Sequence, residues 1–293
     1  MQRSQALNRG AAKLAAVNAE ALPYTLLIIL IELAIGSLWV TLASDLRGGV
    51  TRGFVLTMTA AAAIVAGLGY WLSVSLDIGS DVDGYLIDPS SFAPMQNLLL
   101  VVVGTSGFYA VMVFMGWDPV GRIVAIGGSV VGVVCVAFLA GLLSPPAWGY
   151  AGVLFALLAG TLSMGAVTTS MTWGHWYLTE GSLPGKPMRE LSWILIFAIL
   201  LQVALLVINA AVPERITPTP ANPVDGGLLA NPLFWFRIGV GLVFAFVLAV
   251  LALRTAQIRS MQSATGLLYI CMGAVFTGEV LARGVQFLTA HPI

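Results

Sequence analysis

The chain has 293 residues, of which 59% are hydrophobic and 9% charged, and its 13 basic and 13 acidic residues cancel. A soluble domain carries about 25% charged residues, so the composition excludes a soluble globular protein and points to an all-α polytopic membrane protein. Zero net charge leaves no footprint for a nucleic-acid partner. Cys135 and Cys271 both sit in apolar stretches, too few for a four-cysteine iron–sulfur site and without zinc-ligand spacing.

Residues 1–23 form a polar lead in which Ala and Leu recur between Arg3, Arg9 and Lys13, a pattern that suits a helix lying on a membrane surface. Pro23 then opens the first apolar run, which is too long for a signal peptide and contains Glu32. Eight spans are expected, near 24–43, 53–76, 95–116, 121–143, 148–175, 190–212, 233–254 and 264–288. Each holds about 20 or more mainly apolar residues, enough to cross a bilayer. Together, 24–288 form one transmembrane domain, which a pair of four-helix bundles would accommodate, and 289–293 are a tail. Trp117, Trp148, Trp176, Trp193 and Trp235 fall near span ends, where interfacial anchors belong. Two connections are long: 77–94, with Asp77, Asp81, Asp83 and Asp88, and the proline-rich 213–232. The others are short, so consecutive spans are antiparallel neighbours.

The loops after spans one, three, five and seven carry Arg47, Arg52, Arg122, Lys186, Arg189, Arg254 and Arg259, against Arg3, Arg9, Lys13 and Arg215 on the other side. Basic residues favour the cytoplasm, so this balance puts both termini on the non-cytoplasmic face, with the basic N-terminal lead pulling the other way.

Charge inside the spans is the strongest signal. Glu279 and Arg283 lie four apart in the last span, on one helix face, with the acid N-terminal to the base. Each would cost roughly 2.5–3.5 kcal/mol near the centre of a lone helix, so this face turns toward protein or water. At 1.5 Å per residue, Glu32 lies roughly 12 Å, Arg237 roughly 6 Å, and Glu279 and Arg283 roughly 13 and 7 Å below the face that carries the termini. All four therefore share one half of the bilayer and can neutralise one another if span one approaches spans seven and eight. Separate structural pairs, or Arg237 reaching to the interface, are the bland alternatives. At the opposite face, His175 stands beside Trp173, Trp176 and Tyr177 and is a second candidate for hydrogen bonding a quinone carbonyl or relaying a proton. An aromatic belt with a hydrogen-bonded histidine is its structural counterpart. His291 belongs to the other face, which argues against bis-histidine haem. Gln202 and Asn209 share a face of span six and suit helix bridging, while Thr168, Thr169, Ser170 and Thr172 are expected to bond their own backbone.

Gly278-Glu279-Val-Leu-Ala-Arg283 followed by Phe287, with the small-residue run around Glu32, Leu33 and Gly36, resembles the integral membrane anchor subunits of DMSO-reductase-type and polysulfide-reductase-type molybdoenzymes, as does the eight-span layout. That resemblance implies an anchor subunit of a respiratory oxidoreductase complex in the bacterial inner membrane. It would bind menaquinone or ubiquinone among membrane lipid, hold no haem or iron–sulfur cluster itself, and exchange electrons with iron–sulfur and molybdenum-type subunits. Glu279 and Glu32 would then accept protons, Arg283 and Arg237 would steady the carboxylates or touch a quinone oxygen, and His175, Trp176 and Tyr177 would be the alternative quinone site. The sequence departs from that family in having no histidine early in the chain. A transporter or channel built on the charged cluster, or a purely structural subunit, are the competing expectations.

Overall fold

A computed structural model describes residues 21–82, 85–144, 149–180, 183–211, 227–289 and 291–293. The expected surface helix in the N-terminal lead, Trp148 and most of the proline-rich connection fall outside these residues. The described chain is all-α, with eight helices long and apolar enough to cross a membrane, and the protein is an integral membrane protein. They are α1 (Ala21–Arg47), α2 (Arg52–Val74), α3 (Phe92–Met115), α4 (Asp118–Leu143), α5 (Tyr150–Glu180), α6 (Lys186–Ala211), α7 (Pro232–Gln257) and α8 (Met261–Thr289). Large apolar side chains such as Ile123 and Phe114 stand outward, at 70% and 79% exposure, as lipid contact requires.

Local chemistry sets the helix ends. Thr51 caps α2 by accepting a hydrogen bond from the Phe54 N–H at 3.3 Å. Asn231 does the same for α7 through the Leu233 N–H, with Pro232 at the first helical position. Gly116 closes α3 in the left-handed conformation at φ 84°. Several helices run a turn beyond the expected spans, α5 to Glu180 and α8 from Met261, because polar ends continue the helix outside the hydrocarbon.

The helices pack as two rings of four. In the first, α1 meets α2, α2 meets α3, α3 meets α4, and α4 returns to α1. In the second, α5, α6, α7 and α8 follow the same circuit. The rings share the contacts of α1 with α5 and α8. At the α1–α5 joint the backbones of Gly36 and Gly165 touch, and at the α7–α8 joint those of Gly241 and Gly278 do. Without side chains at these positions the helix axes approach closely, the usual device for packing in lipid. Away from the termini, Asp45 at the end of α1 binds Arg122 at 2.8 Å and accepts from the Tyr109 hydroxyl at 2.6 Å, tying α1 to α3 and α4.

The acidic 77–94 connection is not irregular throughout. Asp81–Val82 (β1) and Tyr85–Leu86 (β2) pair antiparallel, and a 3₁₀ turn over Pro89–Ser91 leads into α3. The Ile87 N–H donates to Ser80 O at 3.1 Å and the Asp88 N–H to Leu142 O at 3.0 Å, seating this cap against the end of α4.

The α1–α5 crossing leads to a stability prediction. Gly36→Val should lower stability to detergent unfolding by about 1–3 kcal/mol or more, the scale of overpacking. Gly127→Val, at a site with nothing within 4 Å, should leave it unchanged.

Candidate functional site

α1, α7 and α8 bring Glu32, Arg237, Glu279 and Arg283 into one cluster, with all four side chains at most 2% exposed. Arg283 is its hub. Its Nη2 donates to Glu32 Oε1 at 2.7 Å and to Glu279 Oε2 at 3.4 Å. The Nη2 of Arg237 reaches Glu279 Oε1 at 3.4 Å. With two acids and two bases, the fully ionised quartet carries no net charge into the membrane. Glu32, Gly160, Gln202 and Glu279 all lie roughly 14–17 Å from the terminus-side ends of their helices, at 1.5 Å per residue.

The surroundings explain how the quartet fits. Gly160 of α5 lies against it: a Cβ there would stand 2.6 Å from Glu32 Oε1, 2.8 Å from Arg283 Nη2 and 3.0 Å from Glu279 Oε2. Glu279 Oε1 also accepts from the Gln202 amide of α6 and, at 3.4 Å, from the Ser163 hydroxyl of α5, while Gln202 Nε2 lies 3.2 Å from Ser163 Oγ. Arg237 starts a π-helical stretch, Arg237–Phe244, within α7. Such wider turns recur at functional positions. The guanidinium of Arg237 lies over the Gly241–Gly278 contact, where added Cβ atoms would come within 2.9 and 2.7 Å of its Nη1.

The two carboxylates differ. Both oxygens of Glu279 have partners. Glu32 Oε2 has none among the described residues, nor do Arg237 Nε, Arg237 Nη1 and Arg283 Nε, although all are buried. The quartet thus has one acceptor and three donor nitrogens without a partner among the described residues. Buried polar atoms are ordinarily matched; unmatched ones also occur at Thr41, Ser106, Thr168, Thr169, Trp173 and Trp176, and what distinguishes the quartet is that four of them lie together on charged groups.

A hydrogen-bonded track leads from the quartet toward the face of the termini. Arg283 Nη1 donates to Gln286 Oε1 at 3.2 Å, and Gln286 Nε2 donates to the Tyr85 hydroxyl of β2 at 3.5 Å. Tyr85 in turn donates to Leu143 O at the end of α4. Burial pushes the Tyr85 phenol above its ordinary range, so it remains a protonated donor. Its ring packs edge-on against Phe287 at 5.2 Å.

The second expected site does not converge. His175, Trp176 and Tyr177 are consecutive in α5, and each helical residue turns about 100° from the last, so they point in different directions. His175 Nδ1 lies 3.0 Å from the Tyr269 hydroxyl of α8. Trp176 faces Phe54 of α2, with ring centroids 6.3 Å apart, and both Trp176 and Tyr177 pack on an apolar cluster that draws on both rings. Gln202 bridges to α5 and α8, and Asn209 Nδ2 donates to Pro292 O at 2.5 Å. Ser170 bonds its own backbone at Ala166 O, whereas the hydroxyls of Thr168 and Thr169 have no partner, against the expectation that all would turn inward on their helix. Among the described residues, no group of three or more His, Cys, Asp or Glu side chains comes together as a metal site. Sequence reasoning missed Gly160, Ser163, Gln286, Tyr85 and the π-helical stretch. Only the glycine and amide content of the spans hinted at them.

No protein-family model matches this chain, and no curated protein shows significant similarity to it.

The geometry gives a coupled-stability prediction. Arg283→Leu leaves two buried carboxylates short of a partner and should destabilise the protein by about 3–5 kcal/mol. Adding Glu32→Gln to it should recover part of that loss, giving a non-additive double-mutant cycle in unfolding measurements. Strict additivity would show that Glu32 and Arg283 do not interact.

Proposed function

We propose that this chain is the quinol-binding membrane anchor of a respiratory oxidoreductase and that the quartet holds the quinol head group. One observation carries this reading: a buried carboxylate oxygen, Glu32 Oε2, and three unmatched guanidinium N–H groups share one apolar setting. That set is complementary to a hydroxyl, which donates once and accepts from the same oxygen. Glu32 Oε2 accepts the hydroxyl proton, and Arg237 and Arg283 orient the oxygen. Glu279, with both oxygens already engaged, fixes the two arginines. The division of roles gives the reacting carboxylate to Glu32 and the holding carboxylate to Glu279. A bound quinol supplies a pair of electrons together with its hydroxyl protons. An iron–sulfur subunit, within a molybdenum-type complex of the bacterial inner membrane, is the electron partner that the family resemblance supplies. Termini on the non-cytoplasmic side complete the arrangement.

A second reading, proton or ion transport through the quartet, draws on the π-helical backbone beside Arg237. Irregular helix next to a charged site is a feature of transporters, where it occurs in matched pairs of helices.

Photolabelling separates these readings. An azido-quinone added to the chain in lipid nanodiscs should label peptides of α1, α7 and α8 around Glu32, Arg237 and Glu279, with competition by unlabelled quinol. Label confined to His175 and Trp176 would move the site to the opposite face. Absence of competed label, with proton flux in liposomes, would favour transport.

A further inference from the structure

We infer that Tyr85 and Gln286 are positioning residues that latch the quartet from the terminus-side cap, holding Arg283 on Glu32. This rests on the quartet being the working site, but not on quinol being its ligand.

The inference follows from the direction of the hydrogen bonds. Every donor in the track points away from the quartet: Arg283 to Gln286, Gln286 to Tyr85, and Tyr85 to the Leu143 carbonyl. A backbone carbonyl ends the chain and an amide interrupts it. Neither passes a proton onward as a carboxyl or imidazole would, so the arrangement ties rather than conducts. What it ties is specific. Gln286 lies one turn from Arg283 on α8 and takes up the guanidinium edge carrying Nη1, leaving Nη2 directed at Glu32. Tyr85 comes from a different part of the chain, the paired strands above α4. Its ring is wedged at Phe287, whose other neighbour is Tyr24 of α1 at 6.4 Å. Arg283 is therefore oriented by a cap that also spans α1, α4 and α8.

Tyr85→Phe tests this while keeping the ring that packs on Phe287, and Gln286→Leu interrupts the same track at its middle. The probe is the full chain in nanodiscs, labelled with ¹⁵N-arginine, and the readout is exchange of side-chain N–H groups with deuterated water. Gln286→Leu should speed exchange at Arg283 by about tenfold or more, the scale of losing a hydrogen bond to a charged group, and Tyr85→Phe, which removes the neutral bond behind it, by about two- to tenfold, with Arg237 near its original rate in both. Tyr24→Phe removes a different cap contact, to Asp77 O at 3.3 Å, and should leave Arg283 unchanged. Unaltered exchange at Arg283 in both track variants would overturn the inference. Equal acceleration at Arg237 and Arg283, or the same effect from Tyr24→Phe, would also overturn it, because either marks general loosening. Selective release of Arg283 without any change in quinol binding would retain the latch and count against quinol as the ligand.

Discussion

Two carboxylates and two guanidiniums, buried together between α1, α7 and α8, set the terms for the whole molecule. Taking such ions out of water costs several kcal/mol each, and only close mutual pairing offsets it. The pairing requires helices from opposite ends of the chain to meet, with Glu32 and Arg283 separated by 251 positions. The two four-helix rings join along α1, α5 and α8, and the charges, on α1, α7 and α8, lie beside this joint. The small residues at these crossings have a direct purpose. Gly36 and Gly165 bring α1 and α5 together, and Gly160 gives the carboxylates and Arg283 their space.

Within the quartet, the proposed split between a holding and a reacting carboxylate rests on the hydrogen-bond inventory. Gln202, Ser163 and both arginines converge on Glu279, so its position follows from four contacts across α5, α6, α7 and α8 itself. Glu32 has one engaged oxygen and one free. A group meant only for structure gains from complete pairing, since a half-satisfied buried network is less stable than a full one. The unmatched atoms of the quartet are the ones the proposed ligand would meet. The basic residues at the far face are partly occupied in other work: Arg122 is bound to Asp45 and Arg52 to Asp118 at 2.9 Å. The placement of these two therefore reflects local pairing.

Much of this was legible in the sequence because charge is conspicuous in an apolar span. Glu32, Arg237, Glu279 and Arg283 stand out, and helix rise alone places them at compatible depth. What periodicity cannot supply is the rotation of one helix about another, which decides whether Gln286 meets Tyr85 or lipid. The π-helical stretch escaped for a related reason: Arg237–Phe244 has ordinary apolar composition, and its close approach to α8 at Gly241 and Gly278 is not written in that composition. The short strands of the cap lie in a segment whose aspartates signal a polar loop and nothing more. His175, Trp176 and Tyr177 show how sequence adjacency differs from spatial convergence. Adjacent in sequence, they look like a site, yet helical geometry sends them to different neighbours.

The most direct measurement is the affinity of a soluble naphthoquinol for folded wild-type and Glu32→Gln protein in nanodiscs, followed by quenching of intrinsic tryptophan fluorescence. The account predicts affinity at least about tenfold weaker in Glu32→Gln, the scale of losing a hydrogen bond to a charged group, with His175→Phe binding as wild type. Wild-type affinity in Glu32→Gln would contradict the assignment of the quartet as the quinol site.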